Sequence, residues 1–319
     1  MSISDNRKIF VAGHQGMVGS AVCRRLRSTG CEIQTVARDE LDLTQTSPTD
    51  DFFAQHRPDT VIFAAAKVGG ILANQSYPVE FLTENLKMAV NAIDAAYRYG
   101  VKRFLFLGST CIYPRDCQQP IKETAFMTGP LEPTNEGYAL AKIAGVKLCQ
   151  HYRRQHSVLY HSVMPTNLYG PADNYHPEHS HVLPALIRKF HEAKLESLPC
   201  VQIWGTGTAR REFLHVDDLS AAILHLLSLE SPPDLVNVGT GEDLTIRELA
   251  ELIATTVGYR GEIKTDPSHA DGSPVKRTDV ALLHRLGWRH QTDLQTGIKQ
   301  TYQSFLDESN SGRLRSRAV

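Results

Sequence analysis

Ile9-Phe10-Val11-Ala12-Gly13-His14-Gln15-Gly16-Met17-Val18-Gly19 decides the fold of this 319-residue chain. Four apolar residues in succession, with no polar alternation, read as a strand buried on both faces. A G-x-x-G-x-x-G run comes at once after it, and Val18, Val22 and Leu26 then share one stripe of a helix over residues 18–28. Glycines at such a junction allow a tight turn, let the backbone approach a pyrophosphate and let the helix pack closely on the strand. The free N–H groups that open the helix then face the phosphates. The spacing is not G-x-G-x-x-G, but the physics is shared. A glycine run elsewhere would read as an ordinary turn; its place at the first strand–helix junction makes Gly13, His14, Gln15, Gly16, Met17, Val18 and Gly19 candidate dinucleotide-binding residues.

Moving outward, further strands are expected at residues 32–36, 60–64 and 104–107, with a long helix over 79–99 that ends at Gly100. This alternation predicts an α/β fold, a Rossmann-type doubly wound parallel sheet with helices on both faces. Beyond residue 170 the pattern changes. Residues 171–177 read as a loop, 182–193 as a helix, and 201–204 and 235–238 as strands. Thr245 and Glu248 have the spacing of a capping box that opens a helix through 256. The expected organisation is a cofactor-binding domain over 1–170, joined by a returning segment at about 210–240. A smaller α/β substrate-binding lobe takes most of 171–319. The polar tail after Leu306 is expected to fray.

Composition narrows the class. With 41% hydrophobic and 22% charged residues the chain is ordinary globular material, and a net charge of -1 gives no bulk attraction to nucleic acid or an anionic membrane. An anionic ligand must therefore meet a local basic pocket. No apolar run approaches the roughly 20 residues of a membrane span, and residues 1–8 are too polar for a signal peptide. The 6 cysteines form no C-x-x-C pair and read as free thiols of a reducing compartment, so cytoplasm is the expectation.

Cofactor choice is read at the end of the second strand, where a carboxylate selects NAD and an arginine suits the 2′-phosphate of NADP. Here Arg38 comes after Val36 and Ala37, ahead of Asp39 and Glu40. Its planar donor fork favours NADP(H), against the alternative of a solvated surface arginine.

Tyr138 and Lys142 lie four apart in a helical stretch, so phenol and ammonium share one face. A nearby ammonium is expected to lower the phenol's pKa and fit it for proton exchange with a carbonyl oxygen. Ser109 stands just past the fourth strand, at the carboxyl end where open α/β sheets bind ligands, and its hydroxyl can reach the same oxygen. Taken together, the glycine loop, Ser109, Tyr138 and Lys142 resemble the extended short-chain dehydrogenase/reductase family over nearly the whole chain. The resemblance implies NAD(P)-dependent chemistry on nucleotide-linked sugars.

Two residues go beyond a simple reductase. Cys111 sits two positions after Ser109, and His181 closes the run His176-Pro177-Glu178-His179-Ser180-His181. A thiolate can take a proton α to a ketone, and an imidazolium can return one to the opposite face. The pair predicts epimerisation beside a ketone, then its reduction. The blander alternatives are a small buried hydrophobe for Cys111 and a solvated loop for the histidines. No zinc site is expected from their spacing.

Longer strings sharpen the resemblance: Gly13 to Ser20, Ala64 to Ile71, Gly108 to Pro114, Leu131 to Asn135, Met164 to Gly170 and Arg211 to Asp218 resemble the members of that family that epimerise and reduce GDP-linked ketosugars. That likeness implies GDP-4-keto-6-deoxy-D-mannose as substrate, inverted at C3 and C5 with Cys111 as base and His181 as acid. It implies a later reduction at C4 with NADPH, the carbonyl being polarised by Ser109 and Tyr138. By the same likeness, Leu107, Gly108, Ser109, Thr110, Lys142, Pro165, Thr166, Asn167, Leu168 and His181 line the cofactor. Lys189, Arg211 and Lys276 are implied to meet the GDP, and Trp204 to pack on the substrate, where an unguided reading would place it in the core. The likeness also implies a homodimer built through the helix bearing Tyr138 and the long helix before it.

Departures from relatives are Gln15, where some carry a second arginine, Lys189 in place of arginine, and Gly137 where proline is frequent. None removes a chemical group. A 4,6-dehydratase would place an acidic pair where Thr110-Cys111 stands, and a C4-epimerase would need neither Cys111 nor His181. A related enzyme for a GDP-heptose or dideoxy sugar remains the nearest alternative. A non-catalytic NADP(H)-binding regulator would normally lack the tyrosine or the lysine.

Overall fold

The computed structural model describes residues 7–269 and 271–316. The chain begins with β1 (Lys8–Ala12), α1 (Met17–Leu26), β2 (Glu32–Gln34), α2 (Thr46–His56) and β3 (Thr60–Phe63). It continues through α3 (Ile71–Ser76), α4 (Pro78–Arg98), β4 (Arg103–Leu107), α5 (Glu136–His156) and β5 (Leu159–Pro165). Next are β6 (Asn167–Tyr169), α6 (Val182–Leu195), β7 (Cys200–Trp204), β8 (Arg210–Arg211), β9 (Phe213–His215), α7 (Val216–Ser228) and β10 (Leu235–Val238). Last come β11 (Leu244–Thr245), α8 (Ile246–Val257), β12 (Glu262–Asp266), β13 (Val275–Lys276), α9 (Ala281–Arg285) and α10 (Leu294–Asn310).

The main sheet has six parallel strands in the order β10-β5-β4-β3-β1-β2. The chain moves one way from β1 to β2 and then reverses to β3, so a crevice opens between β1 and β3 at their carboxyl ends. Side chains alternate across the sheet as the two-residue strand period demands. Phe10, Val61, Phe63, Phe104 and Phe106 enter one core with α2, α4 and α5. Ile9, Val11, Ile62, Leu105 and Leu107 enter the opposite core with α1 and α7. A third core lies outside the main sheet, where Leu186, Ile187 and Phe190 of α6 meet Leu249 and Ile253 of α8 and Phe305 of α10.

Several expectations differ from the structure. The second strand stops at Gln34 rather than 36, and the chain turns through Ala37, whose carbonyl accepts from Glu40 and Leu41. The strand Leu159–Pro165 is absent from the sequence reading because His161, Ser162 and Pro165 break its apolar run, yet it is buried between β4 and β10. The tail does not fray where expected. Helix α10 runs to Asn310, Leu314 packs on the third core, and Tyr175 N donates to Arg315 O at 2.8 Å. Among the described residues, no helix is long and apolar enough to cross a membrane.

One buried carboxylate ties the lobes together. Glu212, 0% exposed, accepts from the backbone N–H groups of Thr240 (2.6 Å), Gly241 (2.7 Å) and Thr278 (2.7 Å). Its own carbonyl accepts from Thr166 Oγ1 and Asn167 Nδ2. The turn after β10, the end of β13 and the segment after β5 thus share one anchor.

Candidate active site

A cleft of about 1300 Å³ runs along the carboxyl ends of the main sheet and under the second lobe. Its first wall is backbone. Gly13 has a φ of +80°, and a Cβ there would lie 2.9 Å from Ala64 O and Ala65 N across the β1/β3 crevice. A Cβ on Gly19 would fall 2.2 Å from Gly13 O. Both positions exclude any larger residue, and no side chain caps the start of α1. The donors opening α1 are therefore left facing a cradle that fits a dinucleotide pyrophosphate. Arg38, on the rim, pairs with Glu84 at 3.2 Å, and Glu84 also takes Lys67 at 2.9 Å.

The candidate reacting groups come next along the cleft. Ser109 extends from β4, and its Oγ accepts from Cys111 N at 3.2 Å, opening a short turn over Thr110–Ile112. This turn places Cys111 at the cleft surface. Cys111 Sγ accepts from Asn135 Nδ2 at 3.2 Å and lies 3.7 Å from Lys276 Nζ. Tyr138 and Lys142 project from the first turns of α5, with Lys142 Nζ 5.6 Å from the phenol ring and donating to Leu107 O at 2.6 Å.

The electrostatics correct one expectation. Burial pushes the Tyr138 phenol up, with the Cys111 charge adding to the rise. Burial pushes Lys142 down to about 7 from 10.5, opposed by Cys111. In the protein alone, then, Tyr138 holds its proton and Lys142 is poised near neutrality.

The loop before α6 carries His181 into the same cleft. Gly70 N donates to His179 O at 2.9 Å, which clamps the segment after β3 against the histidine run. Desolvation by the cleft walls pushes the His181 imidazole below its usual range, while the residue stays exposed at the cleft surface. His176 and His179 stack on one another, ring centroids 4.6 Å apart.

The remaining wall belongs to the second lobe. Arg211 and Lys276 are register partners in the β8/β13 pair. Arg211 donates to Asp271 O at 3.0 Å, and burial lowers its pKa against the pull of Asp271 and Glu132. Lys189 Nζ lies 4.8 Å above the Trp204 ring, and that ring stacks on His269 at 4.4 Å. Trp204 is 42% exposed at the cleft, so it is not a core residue. Pro165, Thr166, Asn167 and Leu168 line the middle of the cleft beside Leu107, Gly108 and Thr110.

Every candidate residue named from the sequence lines this one cleft. Sequence reasoning missed Asn135, the tail at Arg313–Ser316, and the role of Lys276, which stands against the Cys111 sulfur. The string Leu131 to Asn135 was a signal for Asn135, but nothing in it pointed to a sulfur 24 residues away. Asn135 Oδ1 is buried and without a partner among the described residues.

A doubly wound sheet, a glycine cradle and a Ser/Tyr/Lys set at its carboxyl edge define a nucleotide-dependent epimerase or reductase. The chain belongs to the NAD dependent epimerase/dehydratase family, whose model matches residues 9–239. It is 52% identical to GDP-L-fucose synthase of Escherichia coli (strain K12), over 96% of this chain and 99% of that one. It is 53% identical to GDP-L-fucose synthase 1 of Arabidopsis thaliana, over 96% and 95% of the two chains. Among solved structures it resembles a GDP-L-fucose synthetase from Naegleria fowleri bound to NADP, with a TM-score of 0.91, 28% identity and 98% of each chain covered.

Proposed function

We propose that the chain converts GDP-4-keto-6-deoxy-D-mannose to GDP-L-fucose, inverting C3 and C5 and then reducing C4 with NADPH. The observation that carries this reading is Cys111 Sγ held by Asn135 Nδ2 and Lys276 Nζ in the cleft that also holds Ser109, Tyr138, Lys142 and His181. A reductase alone has no use for a sulfur so placed. The names of the curated relatives support the particular substrate.

The residues that would hold NADP(H) are the glycine loop for the pyrophosphate, Arg38 for the 2′-phosphate, and 107–110 with 165–168 for the nicotinamide end. When bound, the reduced nicotinamide supplies the hydride for C4. The chain's own groups do the rest. Ser109 and Tyr138 donate hydrogen bonds to the C4 oxygen, and that polarisation acidifies the protons at C3 and C5. The amide of Asn135 and the ammonium of Lys276 present N–H groups to the Cys111 sulfur, complementing the charge of a thiolate. Cys111 takes each proton, and His181 returns one to the opposite face. His181 is placed for this by lining the same cleft as Cys111 and Tyr138. Tyr138 enters protonated because of its burial, gives its proton as charge develops on the oxygen, and leaves a phenolate beside Lys142. One polarised carbonyl thus serves all three steps.

The substrate wall of Lys189, Trp204, Arg211 and Lys276 takes the GDP moiety. Exposed Val79 and Val90 on α4 and Leu140 on α5 support a homodimer through these helices.

The test is product identification by NMR after incubation with GDP-4-keto-6-deoxy-D-mannose and NADPH. GDP-L-fucose is expected. A product that retains the C3 and C5 configuration removes the dual inversion, and turnover only with a GDP-heptose or dideoxy ketosugar reassigns the substrate. Bound cofactor without turnover makes the chain a non-catalytic NADP(H)-binding protein.

A further inference from the structure

We propose that the C-terminal segment 312–316 is part of the dinucleotide site, with Arg315 presenting its guanidinium to the cofactor's pyrophosphate; this rests on the dinucleotide reading of the glycine cradle. After α10 the chain turns back, with Arg313 N donating to Glu308 O at 2.8 Å. Three contacts then pin it. Leu314 packs on the third core, Arg315 O accepts from Tyr175 N at 2.8 Å, and Ser316 Oγ accepts from Arg188 Nη1 at 3.2 Å.

With its backbone held from the second lobe, Arg315 reaches the first. Its Nη1 lies 3.8 Å from where a Cβ of Gly16 would stand, against the residue that caps α1. This is the place where the donors of α1 await an anion. The segment Gly13–Ser20 contains no lysine or arginine. Of the nearby arginines, Arg24 is paired with Asp217 at 2.7 Å and Arg38 with Glu84 on the outer rim, while Arg315 interacts through its charge with Asp173. A pyrophosphate set on backbone donors alone keeps most of its charge uncompensated. A guanidinium adds two parallel donors and a full positive charge. The acidic neighbours Asp173 and Glu308 lie on the tail's own side, where Glu308 Oε1 accepts from Ala172 N and Asp173 acts on Arg315 through its charge. The tail therefore spans from α10 to α1 across the opening of the cleft.

The experiment titrates NADPH, NADH and GDP by calorimetry into the full chain, R315Q and R315K, with melting curves of each cofactor-free protein as the folding control. R315Q is expected to weaken NADPH and NADH by the same factor, about tenfold or more for a charge-assisted phosphate contact. GDP affinity should hold, and R315K should recover part of the loss. In the unaltered chain, NADPH should slow tryptic cleavage after Arg313 and Arg315. Unchanged nicotinamide affinity in R315Q, or no protection from trypsin, overturns the proposal. A loss confined to NADPH moves Arg315 to the 2′-phosphate, and a loss confined to GDP moves it to the sugar nucleotide; either overturns the pyrophosphate assignment. Failure of the unaltered chain to bind either nicotinamide would instead reject the dinucleotide reading.

Discussion

The two walls of the cleft are made differently. The wall at the glycine run is mostly backbone, drawn largely from one run of the chain, and it is closed tightly because side chains are missing at Gly13 and Gly19. The opposite wall is side chains from scattered places: Cys111, Asn135, His181, Lys189, Arg211 and Lys276. A backbone wall is ruined by adding one carbon, whereas a side-chain wall is ruined by removing one group. The difference separates a steric requirement on the backbone from a requirement for particular chemical groups.

The sharpest way to break this contrast is Gly19→Ala. Its Cβ would meet backbone 2.2 Å away that cannot swing aside. We expect more than about 4 kcal/mol of lost stability, read from urea denaturation, with cofactor binding abolished. An alanine tolerated without cost would show that the cradle is not tightly closed. On the other wall, Cys111→Ser should leave NADPH affinity and melting temperature near the original values. Exchange of the C3 and C5 protons with deuterated solvent should fall about a hundred- to ten-thousandfold. Unchanged exchange would remove the thiol from the chemistry and leave the reductase set standing.

Between the walls stands Glu212. Glu212→Ala strands the buried N–H group of Thr278 and the part-buried ones of Thr240 and Gly241, and should cost about 3 kcal/mol of stability. A loss much smaller than that would show the lobes to be joined by packing alone. An effect that grows only gradually, by pH, concerns Lys142, whose folded pKa of about 7 lies below the ordinary 10.5. The unfolded chain binds more protons between these values, so this group penalises the fold fully below pH 7 and the penalty is relieved as pH rises toward 10. The stability of the cofactor-free protein should therefore climb by roughly 1 kcal/mol per pH unit relative to Lys142→Met over that window. Parallel curves for the two proteins would mean that Lys142 keeps its charge inside the fold.

These contrasts also explain what could be read early. The glycine run, the Tyr138/Lys142 spacing and Ser109 lie close to their own strand or helix, so local periodicity was enough to place them. The strand Leu159–Pro165 was invisible for the opposite reason. Its buried His161 and Ser162 are tolerable only because neighbours in the sheet enclose them. The tail was misread on composition: polar residues such as Arg313 and Arg315 suggested fraying, while the carbonyl of Arg315 and the side chain of Leu314 were finding fixed partners. The phenol's pKa was misjudged because pair spacing is visible in a sequence and desolvation is not.

By itself, then, the order of residues determined the doubly wound sheet, the glycine cradle and the spacing of the candidate reacting groups. Each of these depends on short-range spacing and on the steric absence of a Cβ. Only the folded chain decided that Asn135 and Lys276 address one sulfur, that Glu212 bolts the lobes together, and that Arg315 arrives at α1 from the far end of the molecule. Such meetings join residues that are tens to hundreds of positions apart, and they arise from how the three cores pack rather than from any local pattern.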